Sequence, residues 1–266
     1  MEAIDAHIHL DMYSESDAGR MIEELPASQV AALIAVSMNL DSCRRTREYQ
    51  RRAPNRIYAA YGFHPEQELP TGDELEQLLT WMGERVDEMT AVGEIGLPYY
   101  MRKEAEADGG AFDLAPYVGL LERFIEQAAQ WNKPVVLHAV YEDADLVCDV
   151  LGKYGIEKAH FHWFKGSSQT VQRMIEAGYY ISITPDVQYE EEIQTLVRMY
   201  PLEQLMVETD GPWPFEGPFL GRATHPIMIH AVIEQIARIK GIPLEETAAV
   251  ILANTKRFYG LPEHLG

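Results

Sequence analysis

The chain has 266 residues, 47% of them hydrophobic, which is ample for a large core and a normal length for a closed α/β barrel. With 42 acidic residues against 22 basic ones the formal net charge is −20, which disfavours long-range, non-specific attraction to nucleic acid or an anionic membrane; bound cations can still create a local positive site. No apolar run is long enough to span a bilayer, no basic-then-apolar leader opens the chain, and two cysteines, Cys43 and Cys148, do not make a disulfide framework, so a reducing cytoplasm is the expected location.

Short apolar runs alternate with longer amphipathic stretches. The first run, AIDAHIHL (3–10), reads as a strand with alternating faces: Ile4, Ala6, Ile8 and Leu10 on an oily side, Asp5, His7 and His9 on a side crowded with imidazole and carboxylate. VAALIAVSM (30–38) and RIYAAYGFH (56–64) are the next strands. A helix follows over 71–88, opened by a capping box from Thr71 to Glu74. MTAVGEIGL (89–97) is the fourth strand, and MRKEAEADGGAFDLAP (101–116), punctuated by Gly and Pro, reads as a long βα loop. The helix over 115–131 carries Pro116 in its first turn. KPVVLHAV (133–140) and KAHFHWF (158–164) are the fifth and sixth strands, followed by a serine-capped helix over 167–178. GYYISIT (178–184) and EQLMVETD (203–210) are the last two, and the acidic run at 190–192 between them reads as a solvated helix start favoured by the dipole. A second long loop, GPWPFEGPFLGRATHP (211–226), leads into closing helices over 225–241 and 243–260. Strand–helix alternation repeated eight times predicts an α/β fold, a (β/α)8 TIM barrel, with residues 1–266 forming one domain. Cys43 and Cys148 both fall in helical stretches, where a small buried thiol is the expected role.

Barrel enzymes build their sites at the C-terminal ends of the strands. His7 and His9 close the first predicted strand, His64 the third, Glu94 the fourth, His138 the fifth, His162 the sixth and Asp210 the eighth. Five of the nine histidines thus converge on one rim. A single His-x-His pair carries little weight; the convergence carries much more. Neutral imidazole and carboxylate suit Zn²⁺, Mn²⁺ and similar ions. Glu94 lies between the His7/His9 side and the His138/His162 side, where it is placed to bridge two ions. Two ions roughly 3.5–4 Å apart can hold a hydroxide and clamp a phosphoryl or carbonyl oxygen. Asp210 would then orient or deprotonate the water.

The stretches DAHIHLD, GFHPE, VGEIGL, PVVLHA, HWFKGS and ETDGP, in this order, resemble the successive motifs of the TatD-related metal-dependent hydrolases, which are amidohydrolase-like barrel enzymes. The resemblance extends to NTKRFYG near the C-terminus and so covers nearly the whole chain. It implies a two-metal phosphoesterase of a kind that includes deoxyribonucleases. It implies one ion held by His7, His9, Glu94 and Asp210 and a second held by Glu94, His138 and His162. His64 would face the substrate near its phosphate, with Asp210 and Glu94 as the catalytic carboxylates. The cofactors implied are two divalent cations, zinc foremost, with manganese or magnesium as alternatives. Three positions depart from the family pattern. Pro98 stands where the family usually reads Gly-Leu-Asp after the bridging glutamate. Val140 stands where an arginine often follows the strand-five histidine. Arg222, in RATHP, is displaced by one residue and is retained as a candidate substrate contact.

Other polar residues have quieter readings. His160 shares a strand face with His162 one layer deeper and is expected to be structural. Asp5 and Glu208, each two residues inward of a ligand candidate, read as partners that orient ligands or as buried carboxylates paired with His160. His225, His230 and His264 fall in the last loop, a helix and the tail; of these His225 is the one within reach of the site. Two further functions stay open beside phosphoester hydrolysis: hydrolysis of a small metabolite at an amide, lactone or C–N bond, and metal binding without turnover. The latter sits poorly with Glu94 and Asp210 together, since both serve an activated water. The expected partner is a small phosphoester or a nucleic acid, not a membrane, and Arg222, Lys165 and Arg102 are the obvious basic residues near the mouth.

Overall fold

The computed structural model describes residues 1–265. Eight parallel strands run in sequence order around one sheet: β1 Ala3–Ile8, β2 Val30–Ala35, β3 Ile57–Tyr61, β4 Ala91–Gly96, β5 Val135–His138, β6 Ala159–Phe161, β7 Tyr180–Ile183 and β8 Leu205–Val207. The helices are α1 Glu15–Ser28, α2 Leu40–Arg52, α3 Gly72–Gly83, α4 Tyr99–Ala107, α5 Ala115–Trp131, α6 Glu142–Tyr154, α7 Ser168–Glu176, α8 Glu191–Met199, α9 Ile229–Lys240 and α10 Leu244–Tyr259. This is the (β/α)8 architecture that the alternation of the sequence predicts. Parallel ladders join β1 through β8. The seam between β8 and β1 is closed by other bonds: the Asp5 carboxylate accepts from the Thr209 amide at 3.0 Å and its hydroxyl at 2.5 Å, and the Asp210 amide donates to the His7 carbonyl at 3.0 Å.

Each strand is shorter than its apolar run. Pairing stops before His9, His64, His162 and Asp210, so these four stand on the first residues of loops. The capping box of α3 forms as expected, with Thr71 and Glu74 each bonded to the other's backbone amide, but the helix ends at Gly83 rather than at 88. The expected loop over 101–116 is corrected: most of its first half is α4, because the run YYMRKEAEA is rich in helix formers and only Gly109–Gly110 ends it. No helix is long and apolar enough to cross a membrane among the described residues. Cys43 and Cys148 are buried free thiols on α2 and α6.

Alternation on β1 is broken. Ile4 and Ala6 join an inner cluster with Ala32, Ile34, Ala60, Val136, Met206 and the end of α10, whereas Ile8 and Leu10 pack in the larger layer between strands and helices. The pairing explains it: Asp5 opposes Leu33 but Ile8 opposes Ala35, so β1 carries one extra residue at His7. β4 carries another, between Val92 opposite Val135 and Ile95 opposite Leu137, at Gly93 and Glu94. Such bulges re-aim side chains, and here both re-aim members of the rim cluster. Glycine makes the second one fit. A Cβ on Gly93 would lie 2.6 Å from the Val136 Cβ, and one on Gly62 would lie 2.7 Å from the Glu94 carbonyl oxygen.

Candidate metal centre

Glu94 is the hub. It is fully buried on β4, and its two carboxylate oxygens face different partners. Oε2 lies 3.1 Å from His7 Nε2 and 3.2 Å from His9 Nε2. Oε1 lies 2.7 Å from His162 Nε2, 3.1 Å from His138 Nδ1 and 3.2 Å from His64 Nε2. Asp210 joins the first set, its Oδ1 3.2 Å from His7 Nε2 and 3.5 Å from His9 Nε2. The rings of His7 and His162 stack at 3.8 Å between the sets. Three groups bring their ligand atoms within 4.8 Å of one another: His7, Glu94 and His162; His7, His9 and Asp210; His9, His64 and Glu94.

The chemistry of these atoms fits a cation. His7 Nε2, Glu94 Oε2 and Asp210 Oδ1 are buried and have no hydrogen-bond partner. Each such orphan costs about 1–3 kcal/mol when left unmet. Three orphans aimed at one another, with soft nitrogen and hard oxygen mixed, are what a divalent ion satisfies. Charge points the same way. Burial would raise the Glu94 carboxyl, but His162, His64 and His7 hold it well below the usual carboxylate range. Burial and His162 disfavour an imidazolium at His7, yet Glu94 and Asp210 overcome them and push it up to about 9. Burial likewise opposes a charged His162, and the Glu94 and Glu208 carboxylates drive it well above its ordinary value. Without a cation, the carboxylates collect protons on their imidazoles instead.

Partners behind the cluster fix ring orientation. Glu208 accepts from the Trp163 amide at 2.8 Å and the Ser182 hydroxyl at 2.5 Å, and its Oε1 lies 3.5 Å from His162 Nδ1. His160 lies deeper, bonded to Ser182 Oγ at 2.5 Å and the Tyr259 hydroxyl at 2.7 Å, and 4.0 Å from Glu208. Asp5 serves the β8 seam rather than His160, and burial pushes its carboxyl up to about 7 against the bonds from Thr209. His64 is set differently from the other imidazoles. Its Nδ1 accepts from the Glu66 amide at 3.1 Å, so its proton sits on Nε2, facing Glu94 and the cavity. Glu66 itself was missed in the sequence: GFHPE draws attention to its histidine, yet the glutamate side chain meets His138 Nε2 at 3.2 Å.

A cavity of about 500 Å³ opens above His9, His64, His138, His162 and Asp210. Its walls are mainly aromatic and apolar, with Tyr100 and Met101 from α4, Trp163 after β6, and Trp213 and Pro214 from the loop after β8. Glu66, Glu104 and Lys165 add charge. Trp163 is anchored by its indole N–H to Asp186 at 2.7 Å. Of the three basic candidates, Lys165 lines this cavity. Arg102 is instead paired with Asp143, with Glu142 at 3.5 Å and with Glu106 at 3.8 Å. Arg222 is exposed on the loop after β8 and stands outside the cavity lining. His225 pairs with Glu24 at 3.3 Å and His230 with the Ser28 carbonyl at 2.8 Å, both away from the cluster.

An eight-stranded parallel barrel with histidines and carboxylates gathered at its C-terminal rim has the architecture and ligand chemistry of a metal-dependent barrel hydrolase. Comparison with known proteins narrows the class. The family described as "TatD related DNase" matches residues 4–260, and the chain belongs to this family of metal-dependent hydrolases. It is 37% identical over 257 residues to an uncharacterized metal-dependent hydrolase of Haemophilus influenzae, covering 97% of this chain and 99% of that one. It is 27% identical over 270 residues to the deoxyribonuclease TATDN3 of Homo sapiens, covering 98% and 96% of the two chains. Among solved structures, the TatD homologue YJJV of Escherichia coli superposes with a TM-score of 0.85 at 24% identity over 98% of both chains, which confirms the fold.

Proposed function

We propose that this protein is a two-cation phosphoesterase of the nuclease type. The observation that carries the reading is the split of Glu94: one oxygen faces His7 and His9 beside Asp210, the other faces His138 and His162. His7, His9, Glu94 and Asp210 would hold one divalent ion and Glu94, His138 and His162 the other, with zinc the first choice for this nitrogen-rich set and manganese or magnesium the alternatives. When bound, such a pair supplies Lewis acidity toward a phosphoryl oxygen and a water of lowered pKa.

The chain's own groups do the rest. Asp210, which lines the cavity as well as facing His7 and His9, takes the proton of the attacking water. The oxygen of that water bonds to phosphorus, the P–O ester bond breaks, and the leaving oxygen departs as an alcohol carrying the proton that Asp210 took from the water. His64 donates from Nε2 to a phosphoryl oxygen, because its Nδ1 is committed to the Glu66 amide. Lys165 supplies a cation for a substrate anion, and the faces of Tyr100, Trp163 and Trp213 accept a ring by stacking. Nucleic acid enters this reading through the deoxyribonuclease relatives. The cavity adds a second reading: with two glutamates and one lysine on its walls it favours a short phosphoester over a long polyanion. Two buried free thiols support a reducing compartment such as the cytoplasm.

The test is a screen of the cation-reconstituted protein against phosphodiester, phosphomonoester, amide and lactone substrates. Cation-stimulated phosphodiester cleavage is expected. Turnover confined to amides or lactones would overturn the phosphoesterase reading in favour of small-metabolite hydrolysis.

A further inference from the structure

His138 differs from the other imidazoles around Glu94. It turns Nδ1 toward the carboxylate at 3.1 Å, whereas His7, His9, His64 and His162 all present Nε2. Its remaining nitrogen, Nε2, points away from the cluster onto Glu66 Oε1 at 3.2 Å. Glu66 belongs to the loop between β3 and α3 and has no part in the reaction derived above. Both of its oxygens are fixed by main chain. Oε1 accepts from the Tyr100 amide and Oε2 from the Met101 amide, each at 2.7 Å. These amides open α4, a helix whose N-cap, Pro98, offers no side-chain cap. The Glu66 side chain is only 15% exposed. With each oxygen accepting from a main-chain amide, the group acts as a carboxylate acceptor on both sides.

An ionised carboxylate can only accept hydrogen bonds, and a neutral imidazole carries one donor and one acceptor nitrogen. The contact between Glu66 and Nε2 therefore requires the proton on Nε2. In the neutral ring Nδ1 is then the bare lone pair, and a cation beside it and Glu94 Oε1, 3.1 Å away, would satisfy both atoms. The opposite tautomer would place N–H on Nδ1, donate to Glu94 Oε1, and occupy the atom that a cation needs. We propose that Glu66 is a positioning residue that holds His138 in its Nε2–H tautomer and thereby keeps Nδ1 open for the second cation. The proposal rests on the two-cation reading. Because the same carboxylate anchors α4, it also ties this ligand to the wall that carries Tyr100 and Met101.

The experiment pairs Glu66→Ala and Glu66→Gln with two readouts on the full chain. The first is the tautomer of His138, read from long-range ¹⁵N–¹H couplings in metal-free protein at alkaline pH, where the ring is neutral. The second is affinity for zinc alone, titrated against a chelator. In the wild type His138 should be protonated on Nε2. In Glu66→Ala the Nδ1–H form should appear, and the weaker zinc should bind ~10–100-fold less tightly, the usual scale for removing a partner of a metal-ligating histidine. Glu66→Gln keeps a neutral acceptor and should fall between, which preserves the test if the alanine variant does not fold. A loss of zinc affinity with the tautomer unchanged would overturn the proposal, since it would show Glu66 acting only as the cap of α4. An unchanged affinity would overturn it as well. If the wild type binds no second zinc, the two-cation reading falls, while the tautomer measurement still reports on Glu66.

Discussion

His7 Nε2 and Glu94 Oε2 lie 3.1 Å apart inside the barrel, both residues fully buried, and neither atom has a hydrogen-bond partner. A buried pair of this kind needs a proton or a cation shared between the two atoms. Among the described residues Glu94 is also the sole one whose two oxygens reach both nitrogen sets. Glu94→Gln is therefore expected to lower the bound divalent content below that of the wild type, measured by elemental analysis after reconstitution. His64→Ala should retain the ions, because the His64 proton lies on the nitrogen that faces the site. If His64→Ala strips the ions and Glu94→Gln does not, the two roles are reversed.

Protons and cations compete for the same imidazoles. In the metal-free chain His7 is raised from 6.5 to about 9 by Glu94 and Asp210 against burial and His162. A histidine raised in the folded state contributes stability that is complete below its unfolded value and disappears as pH passes the folded one. The metal-free protein should therefore lose thermal stability between 6.5 and about 9. A cation needs the neutral ring, so its affinity should rise over the same range as fewer protons must be displaced. Melting curves with and without zinc should diverge as pH increases. Curves that run parallel would show that His7 does not exchange a proton for the ion.

Lys165 is the one lysine or arginine lining the cavity among the described residues, and its Nζ stands 6.0 Å from the Trp163 ring. Loss of a charge-assisted contact costs about 1.5–3 kcal/mol. Lys165→Met should thus raise KM for an anionic phosphoester by ~10–100-fold with a much smaller change in kcat. Arg222→Ala, at an exposed position outside the cavity, should stay within about twofold of the wild type. A large KM effect from Arg222 and none from Lys165 would move the anion subsite to the other side of the mouth.

Much of this site is legible in the sequence because polarity is misplaced there in a way only function explains. Histidines and carboxylates end runs such as AIDAHIHL and KPVVLHAV that are otherwise built for burial, and closing the barrel brings those ends together. What alternation does not reveal is the extra residue at His7 and at Glu94. A bulge breaks the period of two, and its signal is only a glycine, Gly93, that also fits an ordinary tight turn. Helix α4 is masked in the sequence because Gly109, Gly110 and Pro116 are stronger local signals than the helix-forming run before them. Glu66 was hidden for a different reason. Its partners, His138 and the amides of Tyr100 and Met101, are 34 to 72 residues away, and no local pattern encodes a contact at that separation.

Packing at β4 gives a test of the fold that needs no substrate. The Cβ of Gly93→Ala would stand 2.6 Å from the Val136 Cβ and 3.0 Å from its carbonyl oxygen, both fixed parts of β5. The strands must separate, at a cost of roughly 1–3 kcal/mol for overpacking of this kind. Chemical denaturation should show that loss, accompanied by weaker zinc binding, because Glu94 is the next residue. Unchanged stability would mean that β4 and β5 are less tightly apposed than the distances show.

Asp210→Asn separates chemistry from architecture. Asp210 has φ of +47°, in the left-handed region that asparagine and aspartate tolerate better than other side chains, so the backbone of the variant should be undisturbed. The amide has the size of the carboxylate and keeps one oxygen near His7 Nε2, which lies 3.2 Å from Oδ1 in the native chain. What the amide lacks is the capacity to take a proton. If Asp210 serves as the base, turnover of the substrate found in the screen should fall by at least ~100-fold, the scale of a positioned proton acceptor. Melting temperature should stay close to the wild-type value. If Asp210 instead only shapes the turn into the loop after β8, asparagine serves equally well and the rate barely changes. Steady-state kinetics with zinc content measured on the same sample distinguish the two. Near-native turnover by a fully loaded Asp210→Asn protein would remove Asp210 from the reaction and leave the proton to another acceptor at the rim.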